Sequence, residues 1–298
     1  MQTSDGYITI EEGIRLYFQK TGSGPALVIL NGLYWFEDFQ YLSASRTLIG
    51  LDLRHRGRSD FVSDSSKLKR GIQQDVDDLE TVRNYFELDQ MDLLAHSYAG
   101  MIPVLYALKH PARVHRIVQM SSIAPDSSKQ YPAHLMNADA TLREALTAIQ
   151  ELEKERSSTD PVVFCRKFWS LLRIIYVGNP ADVAKIKWDL CSLPAERNLM
   201  SYWLESLFPS IQAVKLRAED LAEVNAPVLV VHGTRDRSSP YGGARDWARI
   251  LPNARLLTIE EAAHVPWIEA PGKVLAPIEE FLGGSWPTTA QQVDLLET

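Results

Sequence analysis

A serine placed between an apolar run and a helix-forming run is the first residue of this chain that could do chemistry. In Leu93-Leu94-Ala95-His96-Ser97-Tyr98-Ala99-Gly100, a strand-like segment runs straight into Ser97 and a helical pattern follows at once. So sharp a turn strains the serine backbone and thrusts its hydroxyl into a cleft. It also needs small residues two positions before and after, where strand and helix backbones nearly touch. Ala95 and Ala99 meet that need, and Gly100 relieves crowding one residue later. The plainer alternative is a helix N-cap serine, which satisfies backbone amides and does no chemistry.

A serine hydroxyl is a poor nucleophile at neutral pH and requires a base. Of the seven histidines, His264 is singled out by position: it follows the last strand-like run and precedes the last helix. A loop there lies at the carboxyl edge of a parallel sheet, beside Ser97. His96 adjoins the serine but is expected to point away from it, and His232, before Gly233, reads as structural. The base in turn needs a carboxylate on its far nitrogen, to fix its tautomer and stabilise the imidazolium. Asp236, in His232-Gly233-Thr234-Arg235-Asp236 just past a strand end, supplies it, and Asp126 is the weaker rival. An oxyanion also has to be held. The turn Asn31-Gly32-Leu33-Tyr34-Trp35 follows a strand, so the backbone N–H groups of Leu33 and Tyr98 are assigned to that task. Tyr34, Trp35, Trp169, Trp203 and Trp267 are the candidates for lining a substrate pocket.

These groups need a scaffold that brings loops to one edge. A continuous apolar run at 26–30, as expected of a strand buried on both faces, is followed by similar, largely apolar runs at 47–51, 91–95, 114–120, 228–231 and 254–259. Helical patterns lie between them at 71–87, 98–109 and 273–282, whereas 6–10 and 14–18 read as an antiparallel pair. Alternation of this kind predicts an α/β fold, an eight-stranded mostly parallel sheet with helices on both faces. It lapses between Pro125 and Pro227 in an aromatic, helical stretch. The expected organisation is therefore a core of 1–124 and 221–285, a helical cap of 125–220 and a loose tail of 286–298.

Composition bounds the rest. The 298 residues are 45% hydrophobic and 23% charged, ordinary for a folded chain of one large domain with an insertion. A net charge of -7 disfavours nucleic acid as a partner. No run approaches a membrane span and no leader-like segment opens the chain, so a cytoplasmic enzyme is the expectation. Cys165 and Cys191 lack metal-ligand spacing and read as two free thiols, with a single bridge left open. No metal or organic cofactor is called for, the expected partner is a small-molecule substrate, and the sequence is silent on oligomeric state.

With the elbow at Ser97, Asp52-Leu53-Arg54-His55-Arg56-Gly57-Arg58-Ser59, Gly233-Thr234-Arg235-Asp236 and the final His264 in this order, the chain resembles the α/β-hydrolase superfamily over nearly its whole length. Within it, His96-Ser97-Tyr98-Ala99-Gly100 and the cap are most similar to proline iminopeptidase-like hydrolases and capped carboxylesterases. Asn31 stands where a His-Gly pair is common, His55 where a glycine is usual, and Ala95 and Ala99 replace elbow glycines. The Gly-Gly-Pro-Gly-like segment usual in iminopeptidases is missing. The resemblance implies acyl transfer on a small or medium ester, less readily an amide. The rivals are an aminopeptidase holding a free amine on Glu196 or Glu205, whose plainer role is a solvated helix face, a hydrolase of carbon–carbon bonds, and a non-catalytic ligand-binding protein on the same fold.

Overall fold

The computed structural model describes residues 3–129, 135 and 138–293. Eight strands form one sheet: β1 (Ser4–Thr9), β2 (Arg15–Gly22), β3 (Ala26–Leu30), β4 (Thr47–Leu51), β5 (Met91–His96), β6 (Val114–Met120), β7 (Val228–Gly233) and β8 (Ala254–Ile259), in the order β1-β2-β4-β3-β5-β6-β7-β8. β1 pairs antiparallel with β2, and β2 with β4; every other pairing is parallel. All the apolar runs read from the sequence are strands.

Alternating side chains divide the core into two layers. Val28, Leu30, Ile49, Leu93 and Ala95 face helices Ile72–Tyr85, Met101–Lys109 and Gly242–Ile250. Leu27, Ile29, Leu48, Leu94 and Val118 face the turn Glu37–Ala44 and helix Pro271–Leu282. Because β3 and β5 to β8 run in parallel, the loops after them all open at one edge, the usual place for a ligand in such a sheet.

The chain leaves the sheet after β6 and returns at β7, and its described residues between them form helices and turns, the longest being Ala140–Lys154 and Pro161–Tyr176. Asp139 and Asp160 cap these two helices through their side chains. Two expectations are corrected. Cys165 and Cys191 are joined in a disulfide that ties the helix Pro161–Tyr176 to the loop after it. A separation of 26 residues within a helical cap carries no pairing signal, since contact here depends on how the loop folds back. The segment after Gly283 is not loose as far as Val293. Trp286 packs 4.9 Å from Phe281 and under the Arg255 guanidinium, and Gln291 exchanges backbone hydrogen bonds with Leu256 of β8. The last five residues of the expected tail, 294–298, lie outside the described residues. Among the described residues no helix is long and apolar enough to cross a membrane.

Candidate active site

β5 ends at His96, and Ser97 takes a left-handed backbone conformation with φ of 58° before the chain turns into helix. Such a conformation is costly for a non-glycine residue and persists only where the surroundings enforce it. The surroundings are tight: a Cβ on Gly100 would come within 2.4 Å of Ser122 Oγ, and Ala95 and Ala99 are fully buried. Tyr98, second in the short turn that Ser97 opens, has an N–H with no acceptor inside that turn.

His264 and Asp236 come together from the loops after β8 and β7. The His264 Nδ1 lies 2.8 Å from Asp236 Oδ2, and both side chains are sealed from solvent. Asp236 Oδ1 accepts from the backbone N–H groups of Ser238 and Ser239, at 2.8 and 2.7 Å. The His232 Nε2, which donates to the Ser239 carbonyl at 2.6 Å, stands 3.3 Å from Asp236 Oδ2. Burial alone would raise the Asp236 carboxyl, but the two imidazoles outweigh it and hold the group well below the usual carboxylate range. Asp236 is thus ionised. The rival Asp126 is exposed and accepts from Ser128 instead.

The His264 ring is packed between His96, at 4.3 Å, and Tyr176, at 4.5 Å. Its Nε2 makes no hydrogen bond, with Ser97 or any other described residue. Catalytic contacts of this kind often tighten only when substrate is present. His96 lines the same cavity as Ser97, and its Nε2 donates to the His264 carbonyl at 2.7 Å, not to the serine. Burial, and then the neighbouring His264, push its pKa well below that of a free histidine, so it stays neutral.

That cavity, about 500 Å³, opens beside Ser97 and is roofed by the cap. Of the sequence candidates, Tyr34, Trp35, Trp169 and Trp203 line it, and Asn31, Phe168, Tyr176, Trp188 and Met200 join them. Trp267 does not: its indole N–H is tied to Asp38 at 2.9 Å and its ring packs against Trp35 and His96, behind the wall. Leu33 is a second correction. Its N–H donates to Asp52 Oδ1 at 2.8 Å, and Leu33 is absent from the cavity wall. Asp52 also accepts from the Arg58 backbone and side chain, so the carboxylate clasps the two loops after β3 and β4 and consumes the amide.

Below the elbow lies a buried polar network that joins the cap to the loops after β3 and β4. Glu196, from the cap, is buried: its carboxylate accepts from Arg56 Nε at 3.2 Å, the Gly57 N–H at 2.7 Å and the Tyr34 hydroxyl. Arg56 also donates to the Tyr98 and Tyr34 hydroxyls, both at 2.6 Å, and Asn31 Nδ2 donates to the Tyr98 hydroxyl at 3.1 Å. Glu196 is therefore no solvated helix face. Glu205 is one: its side chain is mostly exposed, 3.7 Å from Arg156. Arg56 in an otherwise conventional loop was the available clue, since a buried guanidinium needs a carboxylate partner.

His55, in the same loop, adopts φ of 55°, which accounts for the usual glycine there. Its Nδ1 accepts from the Val62 N–H at 3.1 Å, and burial, followed by the nearby Arg56, lowers its pKa to about 4. The unfolded imidazole titrates near roughly 6.5, so the unfolded chain binds the extra proton first. His55 therefore contributes stability at neutral pH that is lost as pH falls through the range from about 6.5 to about 4. The loss should be on the order of 3 kcal/mol, and His96 adds to it in the same direction. Urea unfolding at pH 7 and 4.5 measures it. His55→Asn keeps an acceptor and tolerates positive φ, and it should shrink the difference. An equal acid sensitivity in the variant would refute the assignment.

Comparison with known proteins places this architecture. A family model described as alpha/beta hydrolase fold matches residues 22–271. A proline iminopeptidase of Heyndrickxia coagulans is 23% identical, over 94% of this chain and 98% of its own length. A pimeloyl-[acyl-carrier protein] methyl ester esterase of Nitrosospira multiformis is 25% identical, over 90% of this chain and 98% of its own. Among solved structures, a meta-cleavage product hydrolase from Pseudomonas fluorescens IP01 superposes with a TM-score of 0.70 at 16% identity, covering 93% of this chain and 97% of that one.

Proposed function

Because the chain belongs to the α/β-hydrolase fold family, we propose that it is a serine hydrolase that cleaves carboxylic esters bearing a bulky apolar part. The observation that carries this reading is the sealed Asp236–His264 pair, with an unpartnered Nε2, at the same sheet edge as a strained Ser97 that opens on an aromatic cavity.

In this reading Ser97 Oγ attacks the ester carbonyl while His264 Nε2 takes its proton. The proton then passes to the departing alcohol, and water, activated by the same nitrogen, releases the acid. The Tyr98 N–H holds the oxyanion, and the Asn31 side-chain amide, on the same cavity wall, has one N–H besides that given to the Tyr98 hydroxyl with which to replace the donor that Leu33 does not offer. Asn31 has the left-handed φ of 56° that asparagine tolerates, and Asn31→Asp removes the donor while keeping the shape. That change is expected to lower kcat about a hundredfold or more with KM little altered. A loss confined to KM would take Asn31 out of this role.

The named relatives act on peptides and on methyl esters. An aminopeptidase reading needs a free carboxylate in the cavity to meet the substrate amine. Glu196 is occupied by Arg56, Tyr34 and Gly57, and Glu205 does not line the cavity. The ester reading has the apolar walls it needs. Across para-nitrophenyl esters of increasing acyl length, binding should therefore strengthen by about 0.8 kcal/mol or less per methylene until the cavity is full. Cleavage of an unblocked proline arylamide together with neglect of every simple ester would reverse the choice.

A further inference from the structure

A second cavity, about 260 Å³, lies in the cap against the first. Arg166, Trp169 and Arg173 reach it from one face of the helix Pro161–Tyr176, and Lys187, Trp188 and Asp189 from the loop that the Cys165–Cys191 disulfide holds against that helix. On a chain of net charge -7, three cations here face one carboxylate. That carboxylate, Asp189, stands 3.5 Å from Arg166, and both side chains are mostly exposed, so the pair holds neither residue firmly.

Two donors on residues that line this cavity lack acceptors among the described residues. Trp169 is only 5% exposed, yet its indole N–H has no partner. Arg173 Nε is buried without one as well, and burial lowers the Arg173 pKa against the opposing pull of Asp189. Buried donors of this sort are costly unless something satisfies them. Trp169 and Trp188, with ring centres 6.0 Å apart, line both this cavity and the one beside Ser97.

We propose that this cavity binds an anionic group, a carboxylate or phosphate, at the end of the substrate remote from the scissile ester. The apolar part fills the large cavity, and the acidic end passes the two tryptophans to meet Arg173 and Lys187. This rests on the reading of Ser97 as the nucleophile, so the test has one arm that needs turnover and one that does not.

In the kinetic arm, mono-para-nitrophenyl esters of straight-chain dicarboxylic acids are compared with neutral para-nitrophenyl esters of the same length. One dicarboxylate length should be preferred over its neutral match, and Arg173→Met with Lys187→Met should cut that preference by about tenfold to a hundredfold, the worth of a charge-assisted hydrogen bond or two. Lys187→Met alone, at an exposed position, should give part of the effect without risk to folding. In the binding arm, calorimetry follows titration of the Ser97→Ala protein with the free dicarboxylate and, separately, with inorganic phosphate. Dicarboxylate affinity that falls in the double variant supports the site even if no ester is turned over. Affinity that is unchanged overturns it, whatever Ser97 does. Phosphate binding abolished in the variant, with no discrimination between acidic and neutral esters, also overturns the assignment, leaving a site for free anions.

Discussion

Ser97→Ala is expected to reduce ester turnover to background, a fall on the order of 10⁶ in kcat by comparison with the same knockout in another serine enzyme, while the protein stays folded. The strain at Ser97 belongs to the backbone. Its φ of 58° is set in the main chain, beside the close packing of Gly100 on Ser122, and alanine, with the same β-carbon, adds nothing to it. The hydroxyl is half-buried at the cavity wall and takes part in no side-chain hydrogen bond among the described residues, so little stability goes with it. Thermal unfolding should therefore be nearly unchanged, and a fluorophosphonate should label the parent protein at Ser97 and leave the variant unlabelled. Retained turnover in a clean preparation of the variant would remove Ser97 from the mechanism.

The fold was legible because a strand buried on both faces writes itself as an unbroken apolar run, as in 26–30 and 228–231, whatever packs against it. The Ser97, Asp236 and His264 set was legible for a related reason. Each follows a strand, and parallel strands deliver their following loops to one edge. What failed to show depended on which atom faces which across the chain. The Leu33 amide was lost to Asp52, 19 residues on, and nothing local forbids a turn amide from facing a cleft. Trp267 has the composition of a pocket residue, but the bond from its indole to Asp38 sets it behind the wall. Glu196 lies 140 residues from Arg56, and its short helix, Pro194–Arg197, is too brief for periodicity to reveal a buried face. The disulfide and the cationic cavity it shapes come from one loop folding back on a helix, for which the spacing of 26 residues is uninformative.

Asp236→Asn should cost about four orders of magnitude in kcat, the loss seen for the same change in a related triad, and the reason can be followed atom by atom. The Oδ1 position accepts two backbone N–H groups, from Ser238 and Ser239, so the asparagine oxygen must settle there. Its amide nitrogen then takes the Oδ2 position, facing His264 Nδ1 and His232 Nε2. His232 cannot yield, because its Nε2–H already serves the Ser239 carbonyl. His264 can, by moving its proton from Nδ1 to Nε2, and in doing so it protonates the atom that must receive the Ser97 proton. The geometry survives and the base is lost, so kcat should collapse while KM for a neutral ester changes little. Some stability goes too, since the new N–H group opposes that of His232. Asp126→Asn is the control: an exposed residue that accepts from Ser128 should affect turnover only slightly. A greater loss in the Asp126 variant than in the Asp236 variant would move the orienting acid to the loop after β6 and undo this account of how His264 is held.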